Sequence, residues 1–188
     1  MLEKIIADSL ADKLEFVTRT PAGNDLFDTL ADSPLLDERR RRHFHTITAR
    51  LQYLSRRTRP DIQLSVSMLA TRVTKATEID QCKLDRIIRY LHQSHVNGQR
   101  GIDITPGAAG IQPLRYFDAS YGVHVHNKSH TGSCITIGTS GPICTDSVRQ
   151  TIVTKSSTGA ELVRNFWIHD RVNTGRVRII HRPQSGTG

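Results

Sequence analysis

Two carboxylates sit where strand and helix signals would place them for metal chemistry. Asp118 closes a short run read as a strand, "LRYFDAS", and Glu161 falls in the first turn of a helix expected to start at Ser156. An acid at a strand end, facing another on a neighbouring helix, supplies the hard oxygen ligands that Mg2+ takes. Two such ions held about 4 Å apart clamp the attacking and leaving oxygens of a phosphodiester. The donor supply is short. Residues 106–188 contain four acids, Asp118, Asp146, Glu161 and Asp170, against nine Lys and Arg. Two carboxylates 43 positions apart are also what two surface acids look like, so their spacing alone decides nothing.

Histidine and cysteine add less. His124 and His126 alternate and are expected to share one face of a strand. His92 and His95 are neighbours on a helix. Neither pair is joined by a Cys or an acid cluster, and metal ligand sets number three or four. Cys82, Cys134 and Cys144 form no CxxC pair and no zinc spacing, so free thiols are expected. Phe166 and Trp167, in a helical setting, read as core rather than as base-stacking platforms.

The elements that must position these residues fall into two halves. Over residues 1–16, Leu2, Ile5, Ile6 and Leu10 recur at helical spacing, and "TRTPAGNDLF" then reads as a loop around Pro21 and Gly23. A helix is expected from about Phe44 to Arg57, with Phe44, Ile47, Leu51 and Leu54 on one face. The run Arg39, Arg40, Arg41 and Arg42 reads as a solvated lead into it. Pro60 and Asp61 suit the start of a second helix lined by Ile62, Val66, Leu69 and Val73. A third carries Leu84, Ile87, Ile88 and Leu91 and stops near Gly98. "GIDITPGAAGIQP" is turn-rich and marks the expected boundary, dividing 1–105 from 106–188. Beyond it the period becomes that of strands: 114–120, a hairpin in "CITIGTSGPICT" turning near Gly138 and Gly141, and a strand in "RQTIVTKSS". A helix from 156, a further helix in "RNFWIHDRV" and a last strand in "RVRIIHRP" complete an α+β or α/β pattern with a mixed sheet.

Charge bounds the partners. The chain has 188 residues and a net charge of +8. A polyanion is the natural partner, with phosphate backbones first. Arg39 to Arg42, Lys128 and Lys155 are the candidate contacts. No stretch of about 18 apolar residues occurs, so no membrane partner is expected. The acid-bearing N-terminus resembles neither a signal nor a transit peptide, so the expected location is intracellular, in cytoplasm or nucleus.

Several motifs in one order then carry a resemblance. "LRYFDASYGVHVHNKSHTGSCITIGTSGPICTDSVRQTIVTKSSTGAELV" resembles the ribonuclease H domain of copia-type retrotransposon polyproteins. The matching positions are Asp118 in its Asp-Ala step, Lys128 to Gly132, and Ser156 to Glu161. Upstream, "FHTITARLQYLSRRTRPDIQLSVSMLATRV" and "KLDRIIRYL" resemble the segment that links reverse transcriptase to that nuclease. The likeness spans roughly residues 20–180.

The resemblance implies a helical thumb or connection module over 1–105 and an incomplete ribonuclease H-like sheet over 106–188. It implies RNA–DNA hybrid or duplex as partner, Mg2+ as the parent family's cofactor, and no small-molecule substrate. Asp118 and Glu161 would be the catalytic and metal-binding carboxylates. No Tyr-x-Asp-Asp-like motif occurs, so polymerase chemistry is not expected. In intact relatives a strand bearing a third catalytic Asp stands between the positions of Glu161 and Arg164, and a fourth Asp follows the last strand. This sequence matches neither; Asp170 corresponds to a non-catalytic position, beside Arg171. Gly159 stands where the family usually has Glu, and His126 where relatives often have an acid. Two carboxylates are expected to be insufficient to position two ions. The expectation is a remnant of the reverse transcriptase/ribonuclease H polyprotein without nuclease activity. A retained nucleic-acid-binding module is the alternative, and an active metal-dependent ribonuclease H the least favoured reading.

Overall fold

A computed structural model describes residues 2–9, 18–29, 32–96, 113–137 and 140–160. Four helices come first: α1 (Leu2–Ser9), α2 (Glu38–Arg57), α3 (Gln63–Ala70) and α4 (Glu78–Val96). An antiparallel meander follows: β1 (Pro113–His124), β2 (Lys128–Ile137) and β3 (Pro142–Arg149), in the order β1-β2-β3. This is a mixed α+β arrangement. The boundary expected at 105/106 and the stop at Gly98 lie outside the described residues. So do the junction after Glu161, the helix at 164–173, the strand at 176–182, and Phe166, Trp167 and Asp170.

The helix starts follow from capping chemistry. Asp37 precedes α2, and its Oδ1 accepts from the Arg40 amide at 2.9 Å. That bond satisfies one of the unpaired amides of a first turn, while Glu38 favours the positive end of the helix dipole. The arginine run is therefore part of α2 rather than a lead into it. Pro60 opens a 3-10 turn over Pro60–Ile62, and α3 begins one residue later. At α4 the Thr77 amide donates to Asp80 Oδ2 at 2.9 Å, and the Asp80 amide donates back to Thr77 Oγ1 at 3.4 Å, a reciprocal cap.

The expected apolar stripes form the core. Phe44, Ile47 and Leu51 of α2 meet Val66 and Leu69 of α3, and Leu84, Ile87, Ile88 and Leu91 of α4, with Ile62 and Ile5 beside them. Each such side chain contributes about 1.5–3 kcal/mol by leaving water. Leu54 and Val73 are only partly buried against it. A second network locks the α2–α3 corner. Arg59, 5% exposed, donates to Asp61 Oδ2 at 2.8 Å, and Tyr90 of α4 donates its hydroxyl to the same oxygen at 2.8 Å. Burial alone would raise the Asp61 carboxyl; the bonds from Arg59 and Tyr90 outweigh it and hold it below its usual range.

The sheet is built differently. Its central strand buries Ser129, His130, Thr131, Ser133 and Thr136. These are polar groups, so the described part of the sheet is held by hydrogen bonds where the helices are held by apolar contact. β1 is longer than expected, running through His124 rather than stopping at 120. The strand expected over 149–157 ends at its first residue. β3 pairs with β2 only as far as Arg149↔His130, two residues short of the start of β2 at Lys128. Gln150 makes the last backbone bond, to Ser129 O at 2.8 Å. Its side-chain amide reaches Thr131 Oγ1 at 2.7 Å and Ala160 O at 2.9 Å, tying the sheet to the helical turn over 157–160.

α3 covers the outer side of β3. Gln63 Nε2 donates to Thr145 O at 2.9 Å, and Ser67 Oγ donates to Ser147 O. A helix laid on a strand's carbonyls satisfies groups that would otherwise template another chain. Residues 18–29 form a strap along α4, described with the cavity it covers.

Candidate functional site

Asp118 lies inside β1, not at its end, and is exposed. Its Oδ1 accepts from the Ala119 amide at 2.8 Å. In register it stands opposite Gly132 of β2, which in turn stands opposite Ser147 of β3. A side chain at Gly132 would meet nothing within 4 Å, so the face beside Asp118 is open. The other described acid of the sheet, Asp146, pairs with Ser133, whose β1 partner is Phe117. Phe117 and Asp118 are consecutive, so they point to opposite faces. Asp146 therefore cannot join Asp118. Glu161 lies outside the described residues, and no group of three or more His, Cys, Asp or Glu gathers among the described ones. The described donors, one carboxylate on that face, do not fit a pair of Mg2+ ions.

The six basic residues singled out for nucleic acid fall on three elements. Arg39 to Arg42 open α2, half-buried Lys128 opens β2, and exposed Lys155 follows β3. Two of the four arginines are engaged: Arg40 with Glu78 of α4, and Arg42 with Glu38 one turn earlier. Arg39 and Arg41 are exposed and make no ion pair among the described residues. The far end of α2 adds exposed Arg56 and Arg57, with the Arg57 guanidinium 5.6 Å from the ring centre of Tyr53, itself 59% exposed.

His124 and His126 do not share a face. Gly122 has φ +63°, and His126 and Asn127 follow at 62° and 54°, so a 3-10 turn over Val125–Asn127 swings His126 outward. His124 turns inward to a residue that the sequence pattern did not single out. Its Nε2 lies 2.7 Å from His130 Nδ1, and His130 Nε2 lies 2.7 Å from Ser147 Oγ. Phe27 caps the pair edge-on, 5.1 Å from the His124 ring. The signal for this cluster was the alternation Lys128, His130, Gly132, readable only with β2 starting at 128.

A hydroxyl, an imidazole and a second imidazole in line suggest a nucleophile with its base. The magnitudes argue otherwise. Burial, with a smaller push from His124, lowers His130 to about 4, and burial with Arg149 lowers His124. An imidazole that weakly basic is a poor general base near neutrality. The cluster reads as a neutral, buried hydrogen-bonded chain.

Cys82, Cys134 and Cys144 are free thiols. No described helix is long and apolar enough to cross a membrane. The chain matches no protein-family model, no curated protein and no solved structure.

Proposed function

We propose that this chain is a catalytically inactive remnant of the reverse transcriptase/ribonuclease H region of a copia-type retrotransposon polyprotein. One observation supports it most. The meander carries Asp118 in its first strand, opposite Gly132 of the Lys128–Gly132 run, and leads through β3 to a turn of helix opened by Ser156. That order is the one the resemblance implies. Inactivity is supported by the placement of Asp146 on the opposite face from Asp118 and by the sequence's lack of a match to the family's third Asp. The test is a labelled RNA–DNA hybrid with Mg2+ or Mn2+. No cleavage above buffer is expected, and Asp118→Asn leaves the trace unchanged. Cleavage that Asp118→Asn abolishes would overturn the reading.

A second reading, a retained nucleic-acid-binding module for hybrid or duplex, is favoured by the outward side of α2. Arg39 and Arg41 at one end, and Arg56, Arg57 and exposed Tyr53 at the other, combine phosphate contacts with an aromatic face.

A further inference from the structure

The strap over residues 18–29 does not lie flat on α4. Between them is a cavity of about 370 Å3, lined on the helix side by Lys83, Arg86 and Arg89. Positions three apart advance about 4.5 Å along a helix and stay near one face. The three cations therefore form a column, with opposite-facing Leu84, Ile87 and Leu91 in the core. The strap is fastened at both ends of the column. Gln93 Oε1 accepts from the Thr18 amide at 2.6 Å, Arg86 Nη2 donates to Thr20 Oγ1 at 2.9 Å, and Lys83 Nζ donates to Leu26 O at 3.1 Å and Asp28 O at 2.7 Å.

Among the described residues the charges are not balanced. Lys83 is 8% exposed, and its described partners are two neutral carbonyls. Neither Lys83, Arg86 nor Arg89 makes an ion pair among the described residues. A buried cation held only by dipoles carries an unrecovered desolvation cost. Asp25 is the one acid among the described lining residues, so the described walls carry a formal +2. Pro21, Ala22, Leu26 and Ile79 supply apolar wall beside them. A volume in the range of small-molecule sites, with apolar walls and a few convergent charges, is the usual make-up of a ligand pocket.

We propose that this cavity binds the phosphate monoester of a nucleotide-sized molecule. A monoester carries about −1.5 to −2 at neutral pH, which matches the wall charge. Guanidinium groups present forked donors suited to its oxygens. The apolar wall takes the body of the ligand. The phosphate can belong to a free small molecule or to the 5′ end of an oligonucleotide; the recognising chemistry is shared.

Titration calorimetry on the full chain tests this with AMP, adenosine, and a trinucleotide with and without a 5′ phosphate. AMP is expected to bind at least about ten-fold more tightly than adenosine, the margin of one or more charge-assisted hydrogen bonds. Arg89→Gln is expected to weaken AMP by about ten-fold or more. Its one described bond is to Asp85 O on its own helix, so the fold does not depend on it. Arg86→Gln is the second variant, and Lys75→Gln, an exposed position between α3 and α4 that does not line the cavity, the unaffected control. Binding of the phosphorylated trinucleotide as tight as that of AMP assigns the ligand to nucleic-acid ends; much weaker binding assigns it to free molecules. Equal affinities for AMP and adenosine, or wild-type AMP affinity in both arginine variants, would overturn the proposal.

Discussion

Acid should unfold this protein through His130. The folded chain holds that imidazole at about 4, against 6.5 when free, because it is buried beside His124. Between those values the unfolded state takes up a proton that the folded state refuses. The stabilisation is therefore complete above pH 6.5 and is lost as the pH falls toward 4. At about 1.4 kcal/mol per unit the whole window amounts to about 3 kcal/mol, and about 2 kcal/mol of it has gone by pH 5. His124, also lowered by burial and Arg149, acts in the same direction. Against a typical total of about 5–15 kcal/mol this is a large fraction. The assay is urea unfolding followed by circular dichroism at pH 7.5 and 5.0, on the wild type and His130→Gln. With a denaturant slope of about 2 kcal/mol/M, the wild-type midpoint should fall by about 1 M. His130→Gln should be less stable at pH 7.5 but should lose far less between the two pH values. Equal losses in both proteins, or an NMR titration of His130 centred near 6.5, would refute the reasoning.

Asp61→Ala should cost about 3–5 kcal/mol, since it strands the buried Arg59 guanidinium and takes a partner from Tyr90; a loss under 1 kcal/mol in the same urea assay would show the network to be dispensable. If α2 contacts nucleic acid, Arg39→Gln with Arg41→Gln should flatten the slope of log affinity against log salt by about two, one for each phosphate contact removed. An unchanged slope would exclude that end of α2.

The helical half was legible because its period carries the information. Phe44, Ile47 and Leu51, then Leu84, Ile87, Ile88 and Leu91, are buried as the stripes predict. The start of α2 was misplaced because the arginines look solvated, while Asp37 and Glu38 just before them form the cap. In the second half the first strand and the hairpin of β2 and β3 were readable from the strand period and from Gly138 and Gly141 in the sequence, whereas the strand read over 149–157 was not there beyond Arg149. The register was not readable. It depends on left-handed residues at 122, 126 and 127 and on where β2 begins, and neither shows in hydrophobic alternation. Losing the register meant losing the His124–His130–Ser147 chain, and it put Asp118 at a strand end instead of mid-strand. Of the candidate carboxylates, Asp118 could be placed, whereas Glu161 lies outside the described residues.

The strap over 18–29 also bears on the order in which the protein assembles. Its bonds to α4 join residues 55 to 75 positions apart. Contacts that close such long loops are slow to form and come after the local helices. The strap should thus be absent from the folding transition state. A change that loosens it, such as Thr20→Val, should leave the refolding rate nearly untouched and appear almost wholly as faster unfolding in a stopped-flow series. A slowed refolding limb would mean that the strap docks early. With refolding untouched, the residues that close the cavity set how long the native state lasts, while the helices beneath set how quickly it is reached.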